Sequence, residues 1–168
     1  MINKISSNIF RFLFLVMFQV AILNNIDLGE YAHAHLYILF IILLPFETPK
    51  WLLIISGFLL GISVDIFSDT IGLHAFATVF IAFLRPSILK SFEPHDGYSI
   101  GSSPISNNYG FNWFIRYSAL IAIIHNLIFF YIEAFSFSFF FSTLLTAILS
   151  TIFTLILIIL SRLLIIRR

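Results

Sequence analysis

The chain has 168 residues, 60% of them hydrophobic and 10% charged, with a mean hydropathy of +1.05, whereas soluble domains carry about 25% charged residues. This composition excludes a water-soluble globular protein and points to a bilayer as the solvent. With no cysteine, disulfides, thiolate metal sites and a thiol nucleophile are excluded as well, and the formal net charge of +1 becomes informative only through where the charges sit.

Apolar runs at 9–24, 31–44, 51–66, 73–89, 113–135 and 139–166 are separated by clusters of Asn, Asp, Gly, Pro and Ser. They predict an all-α membrane protein with six transmembrane helices in one polytopic domain, 1–168. A spanning helix takes about 20 residues, so six of them leave no room for a soluble domain. The first run, preceded by Lys4, is built like a secretory signal, but no small-x-small cleavage site follows and it reads as a retained helix. Gln19 within it suits a hydrogen bond to another helix. The second run is short for a span, carries His33 and His35 at an interfacial position, and is closed by Pro45 and Pro49.

The third run places Gly57, Gly61 and Asp65 four residues apart, on one helical stripe. Two glycines on a stripe allow a close helix approach, either within the chain or from a partner. Asp65, Asp69 and His74 cluster around the turn into the fourth run. Two carboxylates and an imidazole could hold a divalent cation, but the spacing is no known ligand pattern, and helix capping or hydrogen bonding to an outer loop is the stronger reading. Pro86 is expected to begin the exit from the fourth helix. Residues 91–112, rich in Gly, Ser, Asn and Pro, have the composition of a loop with no core of its own.

In the fifth run His125 and Glu133 share a broad face, and Arg116 lies at the opposite end. Snorkelling to the interface accounts for Arg116 and Glu133. His125 with Asn126 near mid-helix is the unexplained pair, read either as an interhelical hydrogen bond or as part of a transport site. The sixth run is long enough to tilt or to project beyond the headgroups.

Lys and Arg beside spanning segments stay cytoplasmic. With the N-terminus inside, all nine basic residues (Lys4, Arg11, Lys50, Arg85, Lys90, Arg116, Arg162, Arg167 and Arg168) fall on the inner side. The outer connections then hold only acids: Asp27 and Glu30, Asp65 and Asp69, and Glu133. The expected topology is N-in/C-in. No nucleophile elbow, phosphate loop, dinucleotide fingerprint or metal motif is present, so neither an enzyme nor a cofactor is expected. The basic residues at helix ends need no nucleic acid to explain them.

The run from Gly57 and Gly61 through Asp65, Asp69 and Gly72 to His74-Ala75 resembles the signature stretch of the bacterial rod shape-determining MreD family. The likeness extends to Leu44-Pro45 with Trp51, to Phe83-Leu84-Arg85-Pro86, and to Arg116-Tyr117, His125 and Glu133-Ala134-Phe135-Ser136-Phe137. The resemblance implies a multi-pass protein of the bacterial inner membrane, similar in architecture to the substrate-binding subunits of energy-coupling-factor transporters. By that implication the chain is a non-enzymatic scaffold of the cell-wall elongation complex, maintaining cell shape with an MreC-like protein, MreB and the lateral-wall glycan polymerase and transpeptidase. Gly57, Gly61, Asp65, Asp69, Gly72, His74, His125 and Glu133 are the candidate helix-packing or partner-contact residues. The alternative is a small-molecule-binding subunit of a vitamin-type transporter, with a cavity lined by His74, His125 and Asn126.

Overall fold

Turn residues set where the helices stop. A computed structural model describes residues 2–26, 29, 31–99, 101–106, 109–135 and 140–166, and all of its regular elements are helical. They are α1 (Ile2–Ala21), a short α2 (Leu39–Leu43), α3 (Lys50–Ser68), α4 (Leu73–Ser91), α5 (Gly110–Ala134) and α6 (Phe140–Ile166). Asp27, Glu30, Ser136, Phe137, Arg167 and Arg168 lie outside the described residues. Helix α3 begins after Pro49 and ends at Asp69, which takes a left-handed conformation (φ 53°). Helix α5 ends the same way, at Phe135 (φ 41°).

Among the described residues, five helices rather than six are long and apolar enough to cross a membrane. The exception is the second run. Its residues 32–35 form no regular helix; a 3₁₀ turn follows at Leu36–Ile38, and only Leu39–Leu43 are α-helical. Irregular backbone at membrane depth is tolerated only where protein covers it, and this run is covered: Ala32 and every residue from 34 to 44 are at most 6% exposed.

The run lies along the middle of the bundle from one end to the other. Near its start, the ends of α1 and α3 are joined by Asn24 Nδ2 donating to Ser68 Oγ (2.8 Å). At its far end Phe46 N donates to Ser102 O (3.3 Å), in the loop after α4.

Around it, α3 pairs with α4, α5 with α6, α4 with α5, and α1 with α3. Gly57 and Gly61 face α4: a Cβ on Gly57 would sit 3.0 Å from Ala82 Cβ and Thr78 O, and one on Gly61 would overlap the backbone of Ala75 and His74. The glycine stripe therefore serves packing within the chain. Helix α4 runs past Pro86 to Ser91, a correction to the expected exit. Proline removes one backbone donor there, while the pairing of α3 with α4 holds the helix together. The outward faces carry large apolar side chains such as Phe10, Leu13, Phe14 and Met17 on α1, and Ile148, Ile152, Ile156 and Leu160 on α6. Polar groups are inside and apolar ones outside, the distribution a hydrocarbon solvent selects.

The loop after α4 does have a core. Phe46, Tyr98, Tyr109 and Trp113 pack together, with Phe46 stacked on Tyr98 at 4.1 Å. Trp113 Nε1 donates to Phe92 O (2.8 Å) and Tyr98 Oη to Leu89 O (2.7 Å). Burial pushes the Tyr98 hydroxyl up to about 12, so it stays a donor at any physiological pH. Aromatic packing, invisible in the Gly/Ser/Asn composition, ties this loop to the end of α4 and the start of α5.

Candidate functional site

The backbone groups that the central run leaves unpaired must find partners, because each one left bare in hydrocarbon costs several kcal/mol. The polar residues of the apolar helices supply them. Gln19 of α1 donates from Nε2 to Ala34 O (2.8 Å) and accepts from Tyr37 N (3.4 Å). From α6, Ser150 Oγ accepts from His33 N and Thr154 Oγ1 from His35 N, both at 2.9 Å. At the far end of the run Arg85 of α4 donates to the carbonyls of Leu44 and Pro45, and its Nε donates to Tyr117 Oη (2.9 Å). Tyr117 in turn donates to Ile42 O (3.3 Å).

Side chains of the same run complete a buried polar cluster in the half of the bundle nearer its start. Thr151 Oγ1 donates to Ala147 O (2.7 Å), so toward Asn126 Nδ2 (3.0 Å) it can only accept. That fixes the Asn126 amide, whose Oδ1 must accept from His35 Nδ1 (2.6 Å) and from His125 Nδ1 (3.3 Å). His125 Nε2 is then a lone pair, so Tyr37 Oη donates to it (2.8 Å) and accepts from His74 Nδ1 (2.9 Å). One chain of donors thereby sets three histidine tautomers. His35 and His74 each have Nδ1–H turned into the network and Nε2 left as a bare acceptor, with no partner among the described residues.

This cluster is the floor of a cavity of about 760 Å³ that opens at the end of the bundle where the central run begins, between the end of α1, the α3–α4 turn and the end of α5. His35, His74, Phe129 and Phe130 lie at the bottom, while Asn24, Asp69 and Glu133 stand nearer the mouth. His74 stacks toward Phe129 at 4.5 Å and His35 toward the same ring at 4.8 Å.

The candidate residues divide accordingly. His74, Asp69 and Glu133 line the cavity, and Gly72 (φ 76°) precedes α4 beneath the lateral face. His125 and Asn126, expected as cavity lining, lie behind it, fully buried. His35, expected at the interface, is 4% exposed in the centre, while His33 is exposed.

Asp65 is 2% exposed and caps α4: its carboxylate accepts from His74 N (3.0 Å), Ala75 N (2.8 Å) and Thr70 Oγ1 (2.5 Å). Both oxygens are thus engaged by the start of the next helix, where a negative group also suits the helix dipole. No group of His, Asp and Glu arranged to hold a metal is found among the described residues.

Tyr37, Arg85, Ser150, Thr151 and Thr154 were not singled out as site residues from the sequence. The signal for the last three was polar residues inside the apolar sixth run, Ser150 and Thr154 four apart on one face with Thr151 beside Ser150; Tyr37 carried no such signal, and Arg85 stood out only within the stretch behind the family resemblance. Compared with protein-family models, with curated proteins and with solved structures, the chain matches none.

Proposed function

We propose that this chain is a non-enzymatic scaffold of the bacterial inner membrane that holds partner helices in the membrane plane, as the MreD-family resemblance implies. In this reading the chain crosses the bilayer six times, five times as a long helix and once as the covered run 31–45, with both ends in the cytoplasm. Lys50, Lys90, Arg116 and Arg162 then lie toward the inner end and Asp69 and Glu133 toward the outer, in keeping with the bias of basic residues toward the cytoplasm.

The observation that carries the docking reading is a lateral groove of about 490 Å³ on the α3–α4 pair, lined by apolar side chains including Ile54, Phe58, Phe76, Phe80 and Phe83. Phe58 and Phe76 are half exposed, and a concave apolar strip on a spanning hairpin suits a neighbouring helix better than mobile acyl chains, because packing drives association within lipid. The partner expected is an MreC-like protein, and through it MreB, the glycan polymerase and the transpeptidase.

The test is a pull-down of the tagged chain from its own membranes, beside the double variant Phe58→Ala, Phe80→Ala. Recovery of an MreC-like protein with the parent, reduced at least fivefold with the inserted variant, is expected. Equal recovery by both rejects the groove as the docking surface. The outer cavity favours a second reading, a small-molecule-binding subunit, because a preformed concavity of this size fits a ligand.

A further inference from the structure

We propose that the outer cavity takes a small organic cation rich in N–H donors, such as an alkylammonium or a guanidinium. This rests on the second reading above, that the cavity is a ligand site, and adds its chemistry.

The lining is lopsided in hydrogen-bonding capacity. Its acceptors are open. His35 and His74 line the cavity, each 96% buried and each with an Nε2 lone pair that has no partner among the described residues, and their tautomers are held by the donor chain that runs back through Tyr37, His125 and Asn126 to Thr151. Moving the ring proton of either histidine to Nε2 would set lone pair against lone pair along that chain.

The amide donors of the lining are mostly occupied. Gln19 Nε2 donates to both Asn24 Oδ1 and Ala34 O at 2.8 Å. Asn25 Nδ2 donates to Val20 O (3.0 Å) and Ala21 O (3.2 Å). Asn24 Nδ2 is bonded to Ser68 Oγ, and Thr70 Oγ1 to Asp65.

The charges agree with that imbalance. No Lys or Arg lines the cavity, while Asp69 and Glu133 do, and neither carboxylate forms an ion pair among the described residues. Negative walls at the mouth attract a cation and raise its local concentration, whereas an anion would meet carboxylates and bare lone pairs, with the His33 imidazole and the Ser68 hydroxyl as the remaining side-chain donors of the wall. Phe129 and Phe130 close the bottom with apolar surface against which the alkyl part of such a ligand packs. A ligand carrying several N–H groups satisfies the His35 and His74 acceptors and a rim carboxylate together.

The full-length chain in nanodiscs, titrated by calorimetry with agmatine, putrescine, glutarate, glucose and magnesium chloride, tests the assignment. Saturable binding of agmatine or putrescine is expected, with none for glutarate. Asp69→Asn and Glu133→Gln should each weaken it at least fivefold; both residues are exposed, and asparagine tolerates the left-handed backbone at 69. Ligand-free melting temperatures matching the parent show that these variants keep the fold.

Binding of glutarate or glucose instead would overturn the cation assignment and leave the ligand-site reading standing. Magnesium binding alone would reassign the cavity to an inorganic ion. Cation binding unchanged in both variants would place it elsewhere, and no binding by any probe would reject both the assignment and the ligand-site reading.

Discussion

Arg85 is a fully buried cation with no carboxylate bonded to it among the described residues. It is held by the carbonyls of Leu44 and Pro45, just past the C-terminus of α2, and by the Tyr117 hydroxyl. Removing the charge relieves its desolvation cost but leaves two carbonyls bare at a depth where water cannot replace the donor. Stranding a buried polar group costs about 1–3 kcal/mol. Arg85→Met is therefore expected to lower stability by about 3 kcal/mol in detergent unfolding, while Arg116→Met, at an exposed site, should change it by less than about 0.5 kcal/mol. From the sequence, Arg85 was legible as one more cytoplasmic basic residue and as part of the stretch behind the family resemblance, not as a buried anchor. Two of its three partners are main-chain oxygens forty residues away, and backbone acceptors leave no trace in side-chain identity. His125 and Asn126 stood out for the opposite reason: a polar pair inside an apolar helix is costly unless bonded, so their presence alone announced a partner.

At the level of elements, the α3–α4 hairpin depends on two glycines and one carboxylate. A Cβ on Gly61 meets backbone rather than a movable side chain, so relief requires the helices to separate. Forcing extra volume into a packed contact costs about 1–3 kcal/mol, and Gly61→Ala is expected at the upper end of that range, read as a lowered melting temperature. Ser63→Ala, whose hydroxyl bonds only within its own helix to Leu59 O (2.7 Å), is the matched control and should melt with the parent. The stripe itself was plain in the sequence, because a four-residue spacing is a property of one helix. Which helix it meets was not.

The second run shows the limit of hydropathy at this scale. An apolar stretch signals burial in something apolar, whether lipid or protein, and here protein surrounds it. Covered in this way, its backbone need not be helical, because Gln19, Ser150 and Thr154 take over the bonds a helix would have made internally.

At the scale of the whole molecule, the account joins an inside-out polarity to a directional one. Apolar side chains face outward along the long helices, polar side chains line the central run, basic residues gather at one end and the ligand-sized cavity opens at the other. A lateral docking groove and an end-on cavity use different surfaces, so scaffold and ligand functions are compatible in one chain. The central claim is that the covered run 31–45 is itself a crossing, which sets the parity of every later segment.

The most direct test uses the absence of native cysteine: single cysteines at Ser6, Thr70 and Ser103 are labelled with an impermeant maleimide in sealed right-side-out and inside-out vesicles. The account predicts that Thr70→Cys labels from outside, and Ser6→Cys and Ser103→Cys only from the cytoplasmic side. Labelling of Ser6→Cys and Ser103→Cys from opposite faces would contradict it.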